Sequence, residues 1–215
     1  MYTTITLISL LSYMGTAAST INGTLTAKKM ELPCFLQFLS GISTAFFGEV
    51  FLRDLILLQT TPTIFNKPSE IYITIAVCIF SIVALMHKKP GNIYLSGLCL
   101  LDSIGIVGSA AIGYNQGTKS GFLIAFICGF VTACGGNILA IVIQMVVKKN
   151  YKLFFIILSV KKWYYLFIAS ISVVYGILHF TCHDTNTTII MLTVVSIVIG
   201  FILKRNESTK NLLTN

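Results

Sequence analysis

Four ionisable side chains stand inside stretches otherwise suited to hydrocarbon: Glu49, Arg53 and Asp54 in one apolar run and Asp102 in another. An ionised group at the bilayer centre costs roughly 2.5 to 3.5 kcal/mol on insertion scales, so such residues face a cavity or a partner. Glu49 and Arg53 are four apart, in the order that favours an i,i+4 ion pair, so a structural brace competes with a functional role. Three carboxylates against one guanidinium leave a formal charge of −2 within the membrane, while the whole chain carries +8. Fixed negative charge inside suits a path for cations better than one for anions. Other chemistry is absent from the residues. There is no Walker-type loop, no H-E-x-x-H and no nucleophile elbow, so an enzyme is not expected. A retinal protein would need a lysine in the last span, which has none. The six cysteines show no CxxC spacing and are expected to be buried thiols without a cofactor. His179 and His183, four apart beside Cys182 and Asp184, could face a metal, but at a span end they read as interfacial histidines, and no metal is expected.

The elements that must position these charges follow from length and composition. Of 215 residues, 55% are apolar and 10% charged, against about 25% charged in soluble domains. About 20 apolar residues cross a bilayer as a helix. Seven such runs appear: Thr3 to Ile21, Pro33 to about Leu58, Ile71 to Met86, Ile93 to Gly113, Ser120 to Val147, Trp163 to Thr181 and Thr187 to Leu203. Leu153 to Val160 is too short to cross and reads as re-entrant or interfacial. Lysine and arginine mark the cytoplasmic side. Seven spans put Lys28, Lys29, Lys88, Lys89, Lys148, Lys149, Lys152, Lys161, Lys162, Lys204, Arg205 and Lys210 on one side and only Lys67 and Lys119 on the other. The amino terminus is therefore expected outside and the carboxyl terminus in the cytoplasm. The basic clusters are short and juxtamembrane, which suits anionic lipid and not nucleic acid.

The chain repeats itself. Gly15, Ser19 and Gly23 recur as Gly105, Ser109 and Gly113, offset by 90, with Ser12 where Asp102 stands. Residues 44 to 52 line up with 131 to 139, offset by 87. Three spans per copy is odd, so the second copy enters from the opposite face. The expected organisation is a first three-helix repeat (1–90), an inverted second repeat (91–183), a seventh helix (184–204) and a cytoplasmic tail (205–215). Inverted-repeat transport proteins place their pathway near the midplane, between interrupted helices. Gly48 and the pair Gly135–Gly136, near the centres of the longest spans, are the expected breaks. The small-residue triplets read as sites of close helix packing.

In the first copy Gly15–Thr16, Lys28–Lys29, Thr44–Ala45, the run Gly48 to Asp54 and Pro62 to Phe65 follow in order; the second has Asp102 to Gly105 and Thr132 to Ile138. This order resembles the prokaryotic branch of the trimeric intracellular cation (TRIC) channel family from about Gly15 to Gly176. Glu49, Val50 and Asn137 stand where that family's motifs carry glycine, and Ala140–Ile141 replaces its second Arg-Asp. The resemblance implies an all-α homotrimer in a prokaryotic plasma membrane, with a potassium-conducting pore in each protomer gated at the glycine-rich helices two and five. The pathway is then expected along Glu49, Asp54, Asp102 and Asn137, with Arg53 as counter-charge and Gly48, Gly135 and Gly136 as the gate. The alternative is an alternating-access carrier for a small zwitterion such as glycine.

Overall fold

The computed structural model describes residues 2–66, 68–87, 92–150, 162–181 and 185–213. Among these, seven helical spans follow one another: α1 (Tyr2–Lys29), α2 (Cys34–Phe46) running directly into a π-helical segment (Phe47–Leu57), α3 (Pro68–His87), α4 (Asn92–Gly117), α5 (Phe122–Val147), α6 (Lys162–Thr181) and α7 (Thr185–Leu213). The expected spans all reappear. The short run Leu153 to Val160 lies outside the described residues.

Local chemistry sets the helix ends. Pro68 opens α3 at the first helical position, where its missing N–H costs nothing. The α1 terminus closes through Glu31 in a left-handed conformation (φ 58°), with Glu31 N–H donating to Lys28 O at 2.9 Å and Leu32 N–H to Ala27 O at 3.2 Å. Beyond α5, Lys149 (φ 50°) does the same, with Asn150 N–H on Met145 O at 3.2 Å. Both closures satisfy carbonyls that the helix leaves open. Lys28 and Lys29 in one last turn and Lys148 beside the other lie at the negative ends of the helix dipoles.

Polarity is arranged inside out. Phe35, Phe65, Tyr72, Phe80, Leu123, Leu166 and Met191 are exposed, while Thr16, Thr20, Thr24, Thr44, Glu49, Arg53, Asp54 and Glu70 are buried. A bilayer rewards this distribution, because a polar group costs least where protein partners surround it. The hydroxyls of Thr20 and Thr24 donate back to Thr16 O and Thr20 O at 2.7 and 2.9 Å, which satisfies them within their own helix. The larger apolar cluster sits where α4, α5, α6 and α7 meet; Tyr114 is edge-on to Tyr175 with centroids 5.6 Å apart. Cys78, Cys128 and Cys134 are buried and Cys99 half-buried, but Cys34 is exposed at the start of α2, where the expectation of buried thiols fails. Cys182 lies outside the described residues.

The two copies pack alike. The contacts of α1 with α2, α1 with α3 and α2 with α3 are matched by α4 with α5, α4 with α6 and α5 with α6. Particular glycines confirm it. A methyl at Gly23 would strike Thr44 Oγ1 and the Ser40 carbonyl; at Gly113 it would strike Thr132 Oγ1 and the Cys128 carbonyl. These pairs fix the offset of the second helix at 88 up to Thr44 and Thr132, one more than the sequence alignment suggested. Where Gly48 meets Gly135 the offset is 87. The residue of difference falls where the first copy widens into π-turns, as an extra residue in a helix does.

Candidate functional site

Helices α1 and α4 cross at Gly15 and Gly105, two positions that are equivalents in the repeat, and their backbones touch. The π-segment and α5 cross at Gly48 and Gly135, again equivalents: a methyl at Gly48 would lie 2.6 Å from the Val131 carbonyl oxygen and 3.1 Å from Gly135 Cα. Contacts between equivalents occur on the axis that relates two copies. The pseudo-twofold axis therefore runs through both crossings, and only residues without a side chain allow so close an approach.

Beside these crossings lies a cavity of about 20 Å³, room for a single water molecule. Its wall is paired across the axis: Gly15 with Gly105, Thr16 with Ile106, Ser19 with Ser109, Ala45 with Ala133, and Glu49 and Asp102 as the charged members. Thr132 and Gly136 complete it. Thr16 and Thr132 donate their hydroxyl protons to Ser12 O (3.1 Å) and Cys128 O (2.7 Å). Their oxygens therefore offer lone pairs, and with two carboxyl groups the wall is rich in acceptors.

Each charged wall residue is held from behind. Glu49 Oε1 accepts from Arg53 Nη2 at 3.2 Å, and Arg53 Nε donates to Asp54 Oδ1 at 2.6 Å; Arg53 and Asp54 are fully buried. The i,i+4 brace expected from sequence is thus present, built on π-turns and not on a restarted α-helix. Asp102 Oδ2 accepts from the Tyr164 hydroxyl at 2.7 Å, and the Tyr164 oxygen accepts from Asn137 Nδ2 at 2.7 Å.

Of the expected pathway residues, Glu49 and Asp102 line the cavity, Arg53 and Asp54 lie behind Glu49, and Asn137 lies behind Asp102. Gly136 lines it, and Gly48 and Gly135 form the crossing. One expectation fails. Helix α5 is a continuous α-helix through Gly135 and Gly136, because those glycines serve close approach to the π-segment and the Thr44 carbonyl. Sequence reading also missed Tyr164, which as an aromatic near a span end carries no mark of a buried role. It left Glu70 outside the third span, although Glu70 is buried in the first turn of α3. Ser19 and Ser109 were flagged only as packing residues, yet both line the cavity. No cluster of metal-ligating residues occurs among the described residues; the side chains of His179, Cys182, His183 and Asp184 lie outside them.

Residues 9–88, from α1 to the end of α3, match the family model described as Glycine transporter. The chain is 28% identical over 135 residues to the UPF0126 inner membrane protein YadS of Escherichia coli strain K12, covering 62% of this chain and 64% of that protein. It is 27% identical over 135 residues to a UPF0126 membrane protein of Vibrio cholerae, covering 62% of this chain and 55% of the other. The matched region thus spans less than two thirds of these relatives. Among solved structures, the TRIC channel orthologue from Rhodobacter sphaeroides superposes with a TM-score of 0.69 at 20% identity, covering 94% of this chain and 99% of that one. A prokaryotic TRIC channel in 0.5 M KCl gives 0.71 at 18% identity, covering 96% and 98%. Over nearly its whole length the chain therefore shares the fold of the TRIC channel structures, and over residues 9–88 it matches the family model described as Glycine transporter.

Proposed function

We propose that the protein conducts monovalent cations, potassium foremost, through a path within each protomer that passes the cavity between Glu49 and Asp102. The observation that carries this reading is the pairing of two carboxyl groups and several hydroxyl oxygens around a cavity on the axis of an inverted repeat. Acceptor-rich walls stabilise a partly dehydrated cation and repel anions. In the described conformation the cavity is water-sized and the glycine crossings are tight, which makes this a constricted state. Opening requires the π-segment to move against α5, so Gly48, Gly135 and Gly136 form the gate. Arg53, shared with Asp54, stands behind Glu49 as its counter-charge, and Asn137 acts behind Asp102. The same reading makes the protein a homotrimer in a prokaryotic inner membrane, with the amino terminus outside, and takes 1–90 and 91–183 as the two repeat units.

The second reading is a carrier for a small zwitterion such as glycine, favoured by the family description over residues 9–88. Purified protein in liposomes separates them. A channel gives unitary currents with a potassium gradient alone. A carrier gives saturable glycine uptake and no unitary current, and that result would overturn the channel reading.

A further inference from the structure

The two carboxyl groups of the cavity wall are braced differently. Glu49 is braced by a guanidinium, whose charge offsets its own. Asp102 accepts from a neutral hydroxyl, which orients the group. Tyr164 has one proton to give and spends it on Asp102 Oδ2, while the Asn137 amide occupies its oxygen. The three residues come from three helices, α4, α5 and α6, so the chain of bonds also fixes where Asp102 stands relative to the opposite copy. Its equivalent in the first copy is Ser12, which has no charge to contribute. The acidic side chain that the second copy brings to the cavity wall is therefore Asp102.

We propose that Tyr164, held by Asn137, is the positioning residue that keeps the Asp102 carboxyl group aimed into the cavity, and thereby sets the preference for cations over anions. This rests on the cation reading above and names the residue that tunes it. Without the hydroxyl, Asp102 loses a donor that fixes the direction of its carboxyl group in the wall.

The test is the reversal potential of reconstituted protein in a KCl gradient, which reports the potassium-to-chloride permeability ratio independently of how much protein has folded. Tyr164→Phe, which removes only the oxygen, is expected to lower that ratio about tenfold, the order of a hydrogen bond to a charged group. In an Asp102→Asn background the same change is expected to do nothing further. Asn137→Leu, which removes the donor behind Tyr164, is expected to shift the ratio in the same direction by less. Smaller currents with an unmoved reversal potential in both variants would overturn the assignment and make Tyr164 a packing residue. An equal shift with and without Asp102 would also overturn it. Absence of potassium current from the unmodified protein would overturn the cation reading and this assignment together, an outcome distinct from the other two.

Discussion

Arg53 shows why charge can sit so deep in this molecule. It is fully buried, yet two carboxylates, Glu49 and Asp54, receive its donors. Removing it would leave both acids buried without their shared cation. Arg53→Met is therefore expected to destabilise the protein by about 3 to 5 kcal/mol, as breaking one side of a buried pair does. Thermal unfolding in detergent measures this; a loss below about 1 kcal/mol would mean that the pair contributes little. Asp102→Asn is a different experiment, because the amide keeps an oxygen for Tyr164 and loses only the charge. It is expected to fold normally and to lower potassium conductance about tenfold, the effect of roughly 1.4 kcal/mol of electrostatic attraction. Unchanged conductance with intact folding would reduce Asp102 to a structural acceptor. These acids were legible in the sequence because a membrane makes charge conspicuous. Tyr164 was not, since tyrosine is equally at home at an interface and in a core, and only the fold brings residue 164 to residues 102 and 137.

At the scale of helices, one physical rule decides the glycines: what matters is what a side chain would meet. At Gly48 it would meet the Val131 carbonyl oxygen at 2.6 Å, whereas at Gly97, also within a helix, nothing lies within 4 Å. Gly48→Ala must push the π-segment and α5 apart and is expected to cost about 1 to 3 kcal/mol. Gly97→Ala is expected to be neutral or to stabilise by up to about 1 kcal/mol, since only backbone entropy changes. Unfolding of the two variants side by side checks the contrast, and equal effects would mean that the seam at Gly48 and Gly135 is not tight. The same rule explains which elements the sequence disclosed. Span positions follow from apolar run length, which is why all seven were legible. Whether a glycine interrupts a helix or admits a neighbour is not a property of its own segment. Gly48 lies in the widened stretch and Gly135–Gly136 in an unbroken helix, although all three look alike in sequence. Nor does any residue pattern separate π-turns from α-turns, because both bury a similar face.

For the whole molecule, the inverted repeat ties topology to the site. Two copies that face opposite ways are related by an axis lying in the membrane plane, and equivalents can meet each other only on that axis. Gly15 meets Gly105 and Gly48 meets Gly135, so the cavity beside them belongs at mid-depth, equally far from both surfaces. This geometry requires an odd number of crossings per copy, hence seven with α7. On the proposed topology the termini are expected in different compartments, and the distribution of lysine and arginine predicts the amino terminus outside and the carboxyl terminus in the cytoplasm. Cysteines introduced as Thr3→Cys and Thr214→Cys, in a background lacking the exposed Cys34, test this with a membrane-impermeant maleimide on intact cells. Thr3→Cys is expected to react at once and Thr214→Cys only after permeabilisation. Reaction of both from the same side would make the number of crossings even. The two copies could not then be antiparallel, and the meeting of equivalent glycines would no longer place the acidic cavity at the centre of the membrane.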